Sequence, residues 1–183
     1  SYGTVMTTRR RHFIIPDTQV APGVPTAHMR WIGAAISEYE PDVVVHMGDH
    51  WDMPSASSWS PAGSKQKEGA RLYDDIEAGN DALALLHRSM DGYVPKRKVL
   101  LRGNHEDRLT RVINNDPKLD GVVGFHLFND RELGWEVVDY FNGSPAAVGI
   151  DGIMYAHYFA NPNTGKPISG TIQNRLAKIG SSF

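Results

Sequence analysis

The sequence predicts an α/β domain with mostly parallel central strands, and three observations carry that reading. Short apolar strands alternate with amphipathic helices, the strands read as covered on both faces, and three of them end in polar residues of unusual kind. His12 to Pro16 is a short apolar run that stops at Asp17, and Pro22, Gly23 and Pro25 lead from it into a helix. Met29, Ile32, Ile36 and Tyr39 recur at three and four residues, which gives that helix one buried stripe, and Pro41 ends it. Asp42 to Met47 holds three consecutive valines, as a doubly covered strand requires, and runs into Gly48 and Asp49. A loop rich in Ser, Pro and Gly follows from Met53 to about Gly69, with Trp59 and two lysines. Leu72, Ile76, Gly79, Leu83, Leu86 and Met90 alternate steps of four and three, marking a long amphipathic helix that stops near Gly92. Lys98 to Leu101 is the next buried strand, and it delivers Arg102, Gly103, Asn104 and His105.

The second half changes character, because three strands follow closely: Trp135 to Phe141, Ala146 to Ile150 and Ile153 to Tyr158. Asp151-Gly152 is a two-residue hairpin turn between the last two. A final helix runs from about Gly170 to Ile179, capped by Ser169 and stopped by Gly180. Residues 1–183 read as one domain, with no internal repeat, low-complexity tract or long linker.

Composition excludes more than it selects. A net charge of -2 gives no general attraction to nucleic acid or anionic lipid, so any basic surface is local. The absence of cysteine removes disulfides and thiolate metal sites, leaving His, Asp, Asn and Gln as ligands. No apolar run approaches the roughly 20 residues that span a bilayer. With no apolar leader at the N-terminus, the expectation is a soluble, cytoplasmic protein without a membrane partner.

The strand ends carry the chemistry. Asp17, then Gly48 to Asp52, then Gly103 to Glu106 lie where α/β sheets place their sites. A single Asp after a strand is usually a turn former or a helix cap. A specified Gly-Asn-His-Glu string, however, arises by chance in such a chain on the order of one time in a thousand.

Together these segments resemble the calcineurin-like metallophosphoesterases. Their pattern is Asp-x-His, Gly-Asp-x-x-Asp, Gly-Asn-His-Asp/Glu, a lone His after a strand, and a closing Gly-His-x-His. This chain offers Asp17-Thr18-Gln19, Gly48-Asp49-His50-Trp51-Asp52, Gly103-Asn104-His105-Glu106, and His157 after Ile153 to Ala156. The implied fold is a βαβ sandwich of two mixed sheets flanked by helices. Leu101 to Glu106 is similar to the corresponding stretch of serine/threonine protein phosphatases. Met53 stands where those enzymes carry Arg, so their protein-substrate specificity does not carry over.

The resemblance implies hydrolysis of a phosphate ester with two divalent cations. Roughly 3.5 to 4 Å apart, such cations polarise the phosphoryl group and generate a metal-bound hydroxide. Asp49 would bridge them, Asp17 and Gln19 would serve the first, and Asn104 and His157 the second. His105 would be unligated, stabilising the phosphoryl group and protonating the leaving oxygen, with Asp52 orienting its ring. Oxygen and imidazole ligands suit manganese first, with iron or zinc next. The expected substrate is a phosphodiester, nucleic acid or nucleotide, with a phosphomonoester as the other choice. The Met53 to Gly69 loop, with Trp51 and Trp59, would shape the pocket.

Two departures weaken the metals. Gln19 replaces a histidine, and no Gly-His-x-His occurs, so the chain is expected to be truncated before that motif and to lack its last strands. A scaffold that has kept the fold and lost full metal binding is the alternative reading. His50 beside Asp49 and Arg102 beside Gly103 are the candidates for substrate contact. His46 reads as a core residue, and Arg108 and Arg111 near the third motif could hold a phosphate but read first as helix surface.

Overall fold

Four strands lie side by side in sequence order, all parallel: His12–Ile15 (β1), Val43–His46 (β2), Arg97–Leu101 (β3) and Glu136–Val138 (β4). This is a computed structural model, and the residues described are 9–57 and 71–180. Trp59 with its proposed role, and the expected strand entry after Gly180, lie outside them.

Side-chain alternation along the strands divides the core in two. Val44 and Leu100 face a helical layer, where Met29 and Ile36 of Ala27–Tyr39 (α1) meet Ile76, Leu83 and Leu86 of Leu72–Arg88 (α2). Val43, Val45, Val99 and Leu101 face the opposite side and are covered by Ile150 and Tyr155. Covering both faces explains the triple valine, and each such valine contributes about 2 kcal/mol of apolar burial. Tyr39, expected on the buried stripe of α1, is 60% exposed at the last residue of the helix, where Glu40 ends it in a left-handed turn at φ +43. Trp51 lies against α2 only because position 79 is glycine, where a Cβ would sit 1.9 Å from the indole.

The expected strand from Trp135 to Phe141 is two strands. After β4 the chain breaks at Asp139, whose carboxylate bonds Arg131 at 2.9 Å. Tyr140–Phe141 (β5) then pairs antiparallel with Ser144–Pro145 (β6) across an Asn142-Gly143 turn, both residues at positive φ. Val148–Ile150 (β7) and Ile153–Tyr155 (β8) form the expected hairpin about Asp151-Gly152. Among the described residues the sheets are thus one purely parallel sheet and two short hairpins, an α/β arrangement consistent with the expected fold class though not two mixed sheets. His12 anchors the second hairpin to β1, with Nδ1 2.7 Å from the Tyr155 hydroxyl and Nε2 2.9 Å from Asp151.

Asp107–Asn115 (α3) follows the third motif, and Ile172–Gly180 (α4), close to the expected bounds, buries no residue. Among the described residues no helix is long and apolar enough to cross a membrane.

His87 on α2 makes stability depend on pH. Its Nε2 accepts from the Trp135 indole at 2.8 Å, and burial, helped by Lys98, lowers its pKa to about 4. The unfolded chain takes up that proton near pH 6.5. The contribution is therefore complete above pH 6.5 and is lost as pH falls towards 4. Thermal melts from pH 7.5 to 4.5 should show an acid-side decline that is shallower in His87→Gln. Parallel curves for the two proteins would exclude this origin.

Candidate active site

Two loops meet backbone to backbone where β2 and β3 end, and glycine is required on both. A Cβ on Gly48 would lie 2.8 Å from the Gly103 nitrogen, and one on Gly103 would lie 2.0 Å from Asp49 Oδ1. Gly48, Asp49 and Met53 all have positive φ, as does Gln19 on the neighbouring loop. Such conformations cost of order 1 kcal/mol or more at a non-glycine residue and persist only where the surroundings enforce them. Glu106 does so at Asp49. Its fully buried carboxylate accepts backbone N–H groups from Gly103 at 2.8 Å, His50 at 2.7 Å, and Asp49 and Trp51 at 3.1 Å.

On this frame the Asp49 carboxylate becomes the centre of the cluster. Oδ1 accepts the His105 N–H at 2.9 Å, while Oδ2 lies 3.4 Å from His157 Nε2 and 3.7 Å from His105 Nε2. His157 Nε2 is also 3.1 Å from Asn104 Oδ1, and its Nδ1 is 2.7 Å from the Met47 carbonyl. Burial raises the Asp49 pKa, but the His157 and His105 contacts outweigh it and hold the group below the usual range. For His157, burial is outweighed by Asp49, and the imidazole is pushed up to about 9. Asp17 is raised, first by burial and then by the charge of Asp49.

These groups suit a cation. Ligands about 2.1 Å from one ion stand roughly 3.0 to 3.4 Å apart. The spacings of His157 Nε2 from Asn104 Oδ1 and Asp49 Oδ2 match that range. Nδ1 on a backbone carbonyl leaves Nε2 to face the ion, the usual outer support of a ligating histidine. The side of Asp17 and Gln19 is less closed. Both residues are exposed, and Gln19 reaches the cluster through its N–H, bonded to the Asp49 carbonyl at 2.9 Å. Among the described residues no three His, Asp or Glu side chains form a ready cage, so the donor set depends on the Asn104 amide.

His105 sits at the mouth, 16% exposed, with Nδ1 2.5 Å from Asp52 Oδ1. That contact raises its pKa, against burial.

His50 and Arg102 do not reach the mouth, which corrects their expected contact with substrate. His50 is fully buried, its ring held between the Thr18 hydroxyl at 2.7 Å and the Gly79 carbonyl at 2.9 Å. Arg102 is 1% exposed, paired with Asp130 at 2.6 Å and stacked against Phe125 and Phe128. A side chain leaving a buried strand alternates in direction, and these two point inward. His46 is fully buried, as expected of a core residue.

Arg108 departs from expectation in the other direction. It is folded inward, 15% exposed, with NH1 bonded to the Asp52 carbonyl at 2.7 Å and NH2 3.1 Å from His105 Nε2. Its spacing of three residues from His105 at the start of a helix was the available signal. Between α3 and β5 lies a cleft of about 490 Å³ lined by Asp107, Arg111, Asn114, Phe125, Asp139 and Tyr140.

Comparison with known proteins identifies the family. The family model of the calcineurin-like phosphoesterases matches residues 12–179. The gene 54 protein of Mycobacterium phage D29 is 35% identical over 100 residues, which is 54% of this chain and 37% of that protein. The gene 54 protein of Mycobacterium phage L5 is 33% identical over 100 residues, with the same coverage. The match thus spans little more than a third of the length of these relatives. No solved structure matches the chain. With a family match over nearly its whole length, the chain belongs to the calcineurin-like phosphoesterases.

Proposed function

We propose that this chain hydrolyses a phosphodiester, with a nucleotide or nucleic acid as the preferred substrate class. The observation that carries the reading is the His105–Asp52 pair, 2.5 Å apart, at the rim of the Asp49, Asn104 and His157 cluster. A scaffold without catalysis has no use for an imidazole held by a carboxylate at the mouth of a donor cluster.

Asp49, Asn104 and His157, with Asp17 and Gln19 on the open side, would hold divalent cations, in keeping with the family. Manganese is the first choice for this mixed oxygen and imidazole set. When bound, the cations supply Lewis-acid polarisation of the phosphoryl group and activation of water. His105 holds the proton for the leaving oxygen, and Asp52 fixes the ring through Nδ1. The preference for a nucleotide rests on the rings of Phe125 and Tyr140 in the cleft of about 490 Å³, which Asp107 and Asp139 also line.

The test is turnover of a chromogenic diester, a chromogenic monoester and single-stranded DNA with added manganese. The diester and DNA should be preferred, and His105→Ala should lower turnover about a hundredfold. Absence of hydrolysis with any divalent metal would leave the scaffold reading standing, and an unaffected His105→Ala would remove His105 from the reaction.

A further inference from the structure

A phosphate ester approaching this mouth meets three carboxylates, Asp17, Asp49 and Asp52, and its charge needs a protein cation close to His105. Among the described residues the nearby cations differ sharply. Arg102 is sealed under aromatic rings with Asp130, and Arg111 is 53% exposed, held by Asp107 at 3.6 Å and the Asn104 carbonyl at 3.2 Å. Arg108 alone reaches His105 itself. Its two arms have different partners: NH1 on the Asp52 carbonyl at 2.7 Å, NH2 on His105 Nε2 at 3.1 Å.

The second contact has a chemical consequence. A guanidinium only donates, so Nε2 must accept, which places the single ring proton on Nδ1 towards Asp52. In that state Nε2 has no proton to give. For His105 to protonate a leaving oxygen, the NH2 arm must leave Nε2. A phosphoryl oxygen is a stronger acceptor for a guanidinium than an imidazole nitrogen, because the bond is between opposite charges.

We propose that Arg108 is a substrate-phosphate ligand, held in the free protein by NH1 on the Asp52 carbonyl while NH2 passes from His105 Nε2 to a phosphoryl oxygen of the arriving ester. The transfer frees Nε2 to take up a proton from solvent, the proton His105 then passes to the leaving oxygen. It keeps the guanidinium anchored at one end, so little side-chain freedom is lost on binding. Asp52 then serves two partners, orienting His105 through its carboxylate and Arg108 through its carbonyl. This assignment deepens the phosphodiesterase reading and rests on it for the identity of the ester.

The experiment pairs inorganic phosphate binding by calorimetry, on manganese-supplemented protein, with steady-state kinetics on the chromogenic diester. Arg108→Ala should weaken phosphate binding and raise KM by about 10- to 100-fold. Arg108→Lys should recover only part, since an ammonium cannot hold both partners. Nitrogen NMR of the His105 ring adds a structural reading. Phosphate should move the Nε2 resonance of the parent towards its position in phosphate-free Arg108→Ala, which lacks the guanidinium contact from the start. Phosphate binding within twofold of the parent in a folded Arg108→Ala, or no phosphate binding by the parent, overturns the proposal. Phosphate binding that depends on Arg108 in a protein that hydrolyses no ester would sustain this inference while refuting the hydrolase reading. Ester hydrolysis unaffected by Arg108→Ala would do the reverse.

Discussion

Asp49→Asn is expected to lower metal-dependent turnover about a thousandfold or more while leaving the protein folded. The substitution preserves shape and still allows an amide oxygen to accept the His105 N–H now held at 2.9 Å. What it removes is the negative charge shared by His157 and His105 at 3.4 and 3.7 Å. Without that charge the cluster loses most of its attraction for a cation, and the main cause of the raised His157 pKa disappears. Steady-state rates, metal content after gel filtration and thermal melts of parent and variant measure the three consequences. Activity within tenfold of the parent at equal metal content would remove Asp49 from the centre of the site.

Glu106→Ala should cost about 3 to 5 kcal/mol of stability, the usual consequence of removing a buried charge with several hydrogen-bonded partners. Four backbone N–H groups from two loops converge on this one carboxylate, which is fully buried. Truncation strands donors at Asp49, His50, Trp51 and Gly103 where water does not reach. For a chain of this size the loss corresponds to a fall in Tm of roughly 10 °C or more. Glu106→Gln should fall between parent and alanine variant, because its oxygen still accepts while its NH2 faces N–H groups. Urea unfolding midpoints provide the measurement. A midpoint unchanged in Glu106→Ala would mean that the left-handed turns at Gly48 and Asp49 are held by something else.

The two residues show different limits of legibility. Asp49 follows a strand that is apolar on both faces, and a carboxylate there stands out in the chain itself. Glu106 was visible only as the last letter of Gly-Asn-His-Glu, with no role attached. Its partners at positions 49 to 51 lie 55 to 57 residues away in the chain, a distance that sequence spacing does not bridge. The same limit separates Arg102 from Arg108. Both flank the third motif, yet Arg102 lies beneath Phe125 and Phe128 while Arg108 turns to Asp52 and His105. Which arginine is covered depends on the long connection from β3 to β4, whose packing leaves no local period to read.

By itself the sequence determined the layers and the residues at the strand ends. Strand and helix periodicity are local consequences of backbone geometry, and glycines beside acidic and amide residues mark turns that side chains cannot occupy. Only the tertiary structure decided which of those polar groups share one point and which are buried away from it. Asn104 and His157 meet across 53 residues, and His50 turns from the mouth towards Gly79. The physical reason is direction: composition places a group on a loop, whereas its orientation follows from what packs behind it.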